Sequence, residues 1–564
     1  MINLKNYKIS FLKLFLFCAS VIFFSSCQER EHKTISKKEV VEKPEDISAS
    51  AEDIIKGTLK DILNNDKSLS DSFKIRNASI LQNLYDKNSF EPLWSQKGSF
   101  INNGDSLFSF IQQSKQYGLF PEDYNLAKLT NLKEQLSDTS KAKKLDASLW
   151  AYADLLLSSA FVQIVKDLKK GRLLPDSVIV KDSTLTPDFF HSELDSFQKN
   201  NDSVFEHLEP RDSGYIKLKI ALNEFLPKAH FKNHTFVETL DSTQIPSLLY
   251  KRLGEEDSTL SALDNPDSID VSLAIKKYQK RKKINADGKI SSTLIDRLNN
   301  TDKEKFIRIA INLDRYKLLP QLPQQYIWVN IPSYYLKLYQ SDTVVLKSRV
   351  VVGKPLTRTP LITSAISNMI TYPQWTIPES IVKKEVLPGL QKDATYTIKK
   401  GYSIVDDKDN EIDPLKIKWT KYTSSIPYKV VQGSGDENAL GVLKFNFPNK
   451  YSVYLHDTNQ RYLFSNKNRA LSHGCVRVQA WEELAKFILR NDSLNATNPV
   501  PIDSLESWLT TKQKKYVPIR KPIPLFIRYF TSDVDEKGKL IFYEDIYQED
   551  QKIRKQLFAD KTIL

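Results

Sequence analysis

Hydrophobic and polar positions change rhythm along the 564 residues of this chain. From about residue 51 to 240 the rhythm is helical: Trp150 to Leu168 repeats apolar side chains every three or four positions and closes on Lys169, Lys170 and Gly171, a basic last turn and a glycine stop. Residues 271–298 predict two short helices around the turn Asn285-Ala286-Asp287-Gly288. Ala274, Ile275 and Tyr278 are the apolar stripe of the first, and Ile290, Leu294 and Leu298 of the second. A further helix from Phe306 to Leu319 is stopped by Pro320 and Pro323. Beyond Tyr326 the texture is that of strands, over 326–330, 334–339 and 343–352, with Gln340-Ser341-Asp342 as a hairpin turn. Ser452 to His456 reads as another strand, and Trp481, Leu484, Ala485 and Ile488 as one face of a helix. Near the end, 524–529 and 540–543 read as two strands around Glu536-Lys537-Gly538. These textures predict a multidomain α+β protein, all-α before residue 240 and β-rich after 326. Residues 28–50 are polar, lack aromatics and show no apolar period, which predicts a disordered tether.

Composition narrows the classes. Hydrophobic residues at 40% and charged residues at 27% suit a folded chain of several domains, and no apolar run after the N-terminus approaches the length of a bilayer span. The three cysteines, Cys18, Cys27 and Cys475, are too few for a disulfide framework. A net charge of +13 favours acidic partners without choosing among them. The N-terminus chooses: Lys5, Lys8 and Lys13 precede an apolar run, Leu14 to Phe24, that fits a secretory signal and is too short to span a membrane. The protein is therefore expected to be exported. Export disfavours nucleic acid as the partner of the basic run Lys276, Lys277, Lys280, Arg281, Lys282 and Lys283, so no nucleic-acid role is expected.

The candidate chemistry centres on Ser472-His473-Gly474-Cys475-Val476-Arg477. A thiol becomes an efficient nucleophile when an imidazole takes its proton or a cation lowers its pKa, and His473, His456 and Arg477 are at hand. Gly474 allows close backbone approach, so nearby amides could hold an oxyanion. On local geometry alone His473 is a candidate base, because residues two apart on an extended segment face the same way. Three other readings use the same residues: a buried structural cysteine, a zinc site from Cys475, His473 and His456, and a papain-like peptidase. No fourth ligand is near for zinc, so no metal is expected. The scattered His191, His207, His230 and His234 read as surface or packing residues.

The wider pattern resembles a known family. His456-Asp457-Thr458, a spacer of about fifteen residues, and Ser-His-Gly-Cys with Arg477 two places on are similar to the signature of the YkuD-type L,D-transpeptidase catalytic domain. The resemblance extends to Val329–Pro332, Val351–Pro355 with Thr359-Pro360, Tyr372–Pro378, Asn438–Gly441 and Lys444-Phe445, in the manner of the large periplasmic YcbB-like branch. It implies Cys475 as nucleophile, His456 as base with His473 auxiliary, and Gly474, Arg477, Asp457 and Trp375 around oxyanion and substrate. It also implies peptidoglycan stem peptides as substrate, a capping insertion over about 385–431, and no cofactor. Tyr278-Gln279 and Asp287-Gly288 resemble the small helical peptidoglycan-binding domain. Phe24-Ser25-Ser26-Cys27 resembles a lipoprotein cleavage site, implying an acylated Cys27 and a lipid anchor in a membrane, the outer one by the absence of aspartate at Gln28; an ordinary signal peptide is the alternative.

The expected organisation is a signal peptide over 1–26, tether 27–50, helical scaffold 51–240, peptidoglycan-binding-like domain 241–300, linker helix 301–325, catalytic domain 326–500, and an extension 501–564 packing on it. The expected activity is 3→3 crosslinking through a cysteine thioester. Water or a protein amine as acceptor, and a non-catalytic wall-binding lipoprotein, are the alternatives.

Overall fold

The computed structural model of the chain describes residues 33–65, 75–138, 141–174, 185–199, 205–261, 263–264, 266–495 and 497–561. The chain divides into two compact units, one formed by residues up to 115 with 119–169 and 182–209, the other by 116–118, 170–181 and 210–564. Signal peptide and Cys27 lie outside the described residues.

The first unit is helical, as its periodicity predicts, and is built around the helix Ala147–Lys170. That helix is long and apolar enough to cross a bilayer, contrary to the reading of the uninterrupted runs, but nearly all of it is buried inside this unit. Its Asp154 carboxylate accepts hydrogen bonds from the Leu93 and Trp94 amides and the Tyr85 hydroxyl, while burial lifts its pKa to about 6. The tether is corrected from Lys33 onward. Ile35 and Ile47 are buried, Val40 pairs with Asp146, and a helix runs over Ile47–Asn65. Two isoleucines in a polar stretch suffice to dock it, although they are too far apart to register as a period.

In the second unit, helices Ser268–Arg281 and Ser292–Asn299 share a core of Leu249, Leu253, Ile275, Tyr278, Leu294 and Leu298. The intervening turn is bracketed by one side chain: Gln279 donates to Asp287 and accepts the Gly288 amide, both at 2.9 Å. Gly288 has φ +69°, a region that glycine enters without strain. The helix Asp302–Lys317 is not a linker. Phe306, Ile309, Ala310 and Leu313 are buried along it, Asn312 exchanges hydrogen bonds with Thr531, and Glu304 accepts from Nε and Nη2 of Arg554.

The β-rich region is a nine-stranded sheet: β1 Gln325–Asn330, β2 Tyr335–Gln340, β3 Thr343–Gly353, β4 Ile362–Thr371, β5 Leu443–Asn446, β6 Leu455–His456, β7 Ala470–Ser472, β8 Val476–Val478 and β9 Lys515–Arg528. Their order is β7-β3-β8-β6-β5-β4-β9-β1-β2, and β2 pairs back onto β3, so eight strands close on themselves and β7 hangs on β3. Ser341 and Asp342, both at positive φ, make the tight β2–β3 turn where the sequence places it. Val329, Leu336, Val350, Phe445, Leu455 and Val476 fill the core with Leu484, Ala485 and Ile488 of the helix Trp481–Asn495.

Two expectations change here. Of residues 524–529, 524–528 are the end of β9, which lies between β4 and β1 in the middle of the sheet rather than packing on it as an extension. The partner of Leu540–Phe542 is Ser532–Val534. A separate four-stranded sheet, from Trp375–Thr376 to Lys429–Gln432, has its own core of Ile377, Val386, Leu390, Ile404, Trp419 and Val430. This subdomain covers the expected capping insertion and starts earlier, at Trp375.

Candidate active site

Cys475 sits one residue before β8, beside the end of β6. The two strands run parallel with Leu455 opposite Val476 and His456 opposite Arg477. Alternation buries Leu455 and Val476 in the core and brings Tyr454, His456, Cys475 and Arg477 to the other face, where Lys444 joins them from β5 opposite His456. The thiol is half-buried, and burial raises its pKa. Opposing that are the Tyr454 main chain and hydroxyl, then the Lys444 and Arg477 cations. Tyr454 keeps its proton because burial holds its own pKa far above the usual range. Lys444 lies 3.9 Å over the Tyr454 ring, and burial lowers its pKa.

His456 is buried, and its pKa falls to about 3, first through desolvation and then through the Arg477 charge. Its Nδ1 faces the Asp457 carbonyl, which can only accept, so Nδ1 carries the ring proton and Nε2 holds the lone pair. The Leu440 carbonyl also bears on the ring, and the ring meets Tyr454 edge-on at 5.6 Å. No hydrogen bond joins His456 to the thiol among the described residues; Tyr454 is the side chain set against it.

His473 faces elsewhere. Gly474, at φ +121°, breaks the extended alternation that made His473 a neighbour of the thiol, and the exposed His473 ring bonds Glu385 of the four-stranded subdomain at 2.5 Å. Asp457 is withdrawn from the surface: its carboxylate accepts from the Val442 amide at 3.1 Å and from Arg461 at 3.0 Å. A Cβ on Gly441 would fall 2.2 Å from it, which accounts for the glycine there. Asp457 thus braces the turn that carries Leu440 to the imidazole. Arg477 bonds Gln460 at 3.0 Å, and its buried Nε has no hydrogen-bond partner among the described residues. Trp375, half-buried in the four-stranded sheet, turns its indole toward the Tyr454 hydroxyl. Gly474 donates its amide to Ser472 Oγ at 3.1 Å, so of the two amides expected to hold an oxyanion only that of Cys475 is free of a protein partner among the described residues.

Residues 324–502 match the model of the L,D-transpeptidase catalytic domain, and residues 79–222 match a scaffold domain. Residues 324–502 thus carry the sequence pattern of an L,D-transpeptidase catalytic domain. A Haemophilus influenzae protein, named as an inferred L,D-transpeptidase, is 38% identical over 255 residues, which are 45% of this chain and 50% of that protein. The chain spans about half the length of this curated relative. Among solved structures, the NMR structure of the catalytic domain of the Enterococcus faecium L,D-transpeptidase acylated by ertapenem is 13% identical, covering 37% of this chain and all of that one, with a TM-score of 0.16. A crystal structure of the Enterococcus faecium enzyme with a cysteine-to-serine substitution is 12% identical, covering 37% and 50%, with a TM-score of 0.14.

Within the L,D-transpeptidase domain, Tyr454 is the functional candidate that the sequence reading passed over. The signal was present, since Tyr454 stands two residues before His456 on one strand and so shares its face. A cleft of about 780 Å³ elsewhere in this unit, lined by Phe236, Ile295, Arg308, Phe542 and Tyr547 among others, includes neither Cys475 nor His456.

Proposed function

We propose that the protein is a peptidoglycan L,D-transpeptidase that forms 3→3 crosslinks through a thioester on Cys475. The observation that carries this reading is the match of 324–502 to the catalytic-domain model, with the free thiol on the same face as a tautomerically fixed imidazole. Cys475 attacks the carbonyl of the third residue of a tetrapeptide stem. The thiol proton passes to His456 Nε2 and then to the amine of the departing D-alanine, leaving the thioester. The side-chain amine of a neighbouring stem attacks that thioester, and the thiol is restored.

Burial shapes the timing. It raises the thiol and lowers the imidazole, so the resting pair is uncharged, and proton transfer accompanies attack rather than preceding it. The Cys475 amide receives the developing oxyanion, with Lys444 and Arg477 adding positive potential; one such donor is typically worth ~10² to 10³ in rate. Purified protein incubated with tetrapeptide muropeptides should release D-alanine and yield 3→3 dimers. Tripeptides without dimers identify a carboxypeptidase, and no reaction leaves the wall-binding alternative.

We further propose an envelope enzyme of the YcbB-like branch, in the periplasm, anchored by acylated Cys27 in the outer membrane and holding the wall through the module of residues 241–300. The signal-like N-terminus and the Gln279 bracket of the Asp287-Gly288 turn support this. Cys27→Ser should move the protein from the detergent phase to the aqueous phase; unchanged partition refutes lipidation.

A further inference from the structure

Four buried hydrogen bonds lead from the C-terminal segment to the nucleophile loop. The Tyr547 hydroxyl donates to the Gly353 carbonyl at 2.7 Å and accepts from the Thr359 amide at 3.1 Å. The Thr359 hydroxyl accepts from the Gly353 amide at 2.9 Å and donates to the Gly474 carbonyl at 2.8 Å. Each hydroxyl has one proton to give, and each is spent once, so the directions are fixed without ambiguity. Both side chains are almost fully buried, at 2% and 3% exposed for Thr359 and Tyr547. Gly353 is held so closely that a Cβ there would lie 2.1 Å from the Thr357 carbonyl.

The output of this chain is one carbonyl oxygen, that of Gly474. In a planar trans peptide the carbonyl of one residue and the N–H of the next point in opposite directions from the same plate. Fixing the Gly474 oxygen therefore aims the Cys475 N–H, the amide left free on the loop. Ser472 Oγ, which accepts the Gly474 amide and donates to the Cys475 carbonyl at 2.6 Å, ties down the groups on either side.

We propose that Thr359 and Tyr547 are positioning residues that aim the Cys475 amide at the developing oxyanion. The proposal rests on the transpeptidase reading. Tyr547 lies beyond the matched segment 324–502, so the oxyanion donor is set in part by residues outside the catalytic-domain match. Neither residue touches the substrate; both act through the Gly474 peptide.

The test compares two reactions of the same thiol in the full chain. Carbapenem acylation passes through a tetrahedral oxyanion, whereas iodoacetamide alkylation displaces iodide and forms none. Thr359→Val and Tyr547→Phe each remove one hydroxyl with little change in shape, and Thr359→Ser keeps it. The expected result is acylation slowed about 10-fold or more in Thr359→Val and less in Tyr547→Phe, since a misaimed donor forfeits part of its ~10² to 10³. Alkylation rates and their pH profiles should stay at wild type, and Thr359→Ser should restore acylation. Wild-type acylation in both hydroxyl-deleted variants overturns the proposal, as does a parallel fall in acylation and alkylation. If Thr359→Val does not fold, Tyr547→Phe with the same pair of rates decides alone. A wild-type protein that neither acylates nor releases D-alanine defeats the transpeptidase reading instead, a different outcome from equal rates in wild type and variants.

Discussion

Cys475→Ala is expected to abolish D-alanine release and carbapenem acylation together, with a fall on the order of 10⁴ or more in turnover. The methyl group of alanine cannot form the thioester, and Cys475 is the free cysteine of the described residues, so among them no second thiol can substitute. His456→Ala should cost nearly as much, on the order of 10² to 10⁴, because a thiol whose pKa is raised by burial then has no acceptor for its proton. His473→Ala should cost less, since its ring bonds Glu385 of the four-stranded subdomain instead of the thiol. Turnover of purified tetrapeptide by the three variants checks the order. An active His456→Ala with a dead His473→Ala reverses the base assignment, and wild-type release by Cys475→Ala defeats the cysteine mechanism outright.

A chain ending at residue 502, the last residue of the catalytic-domain match, is expected not to fold its catalytic region. It lacks β9, and with it Val517, Ile519, Ile523, Leu525 and Ile527, all buried in the sheet core. At about 1.5 to 3 kcal/mol for each large side chain, the lost burial is on the order of 10 kcal/mol, as large as the whole stability of an ordinary domain. The loss also exposes the facing edges of β4 and β1, an invitation to aggregation. Circular dichroism and thermal melting of the truncated protein provide the check; a soluble product with a cooperative catalytic-domain transition contradicts the placement of β9.

The elements legible in the sequence were those whose signals are local. The helix Ala147–Lys170 announced itself by period and by its basic, glycine-terminated end, and the β2–β3 hairpin by its turn residues. The middle of β9 hid because Pro518, Pro522 and Pro524, with Arg520 and Lys521 among them, argue against a central strand. The sheet accommodates them through a register shift between Pro518 and Ile523, a long-range feature without a local mark. Cys475 and both histidines were legible as a motif, but only the parallel pairing of β6 with β8 brings Tyr454 to the thiol. The turn at Gly474 is what removes His473 from it. Asp457 was legible as part of the signature, yet its work is to brace Gly441 and Val442, which depends on a chain fold that spacing does not encode.

The position of β9 also sets an order in time. Its parallel pairing joins Leu525 to Ile327, so the sheet waits for almost the last strand to be synthesised before it can close. Such distant pairing is slow to form. A growing chain therefore carries Cys475 before it carries the strand that completes the sheet around it.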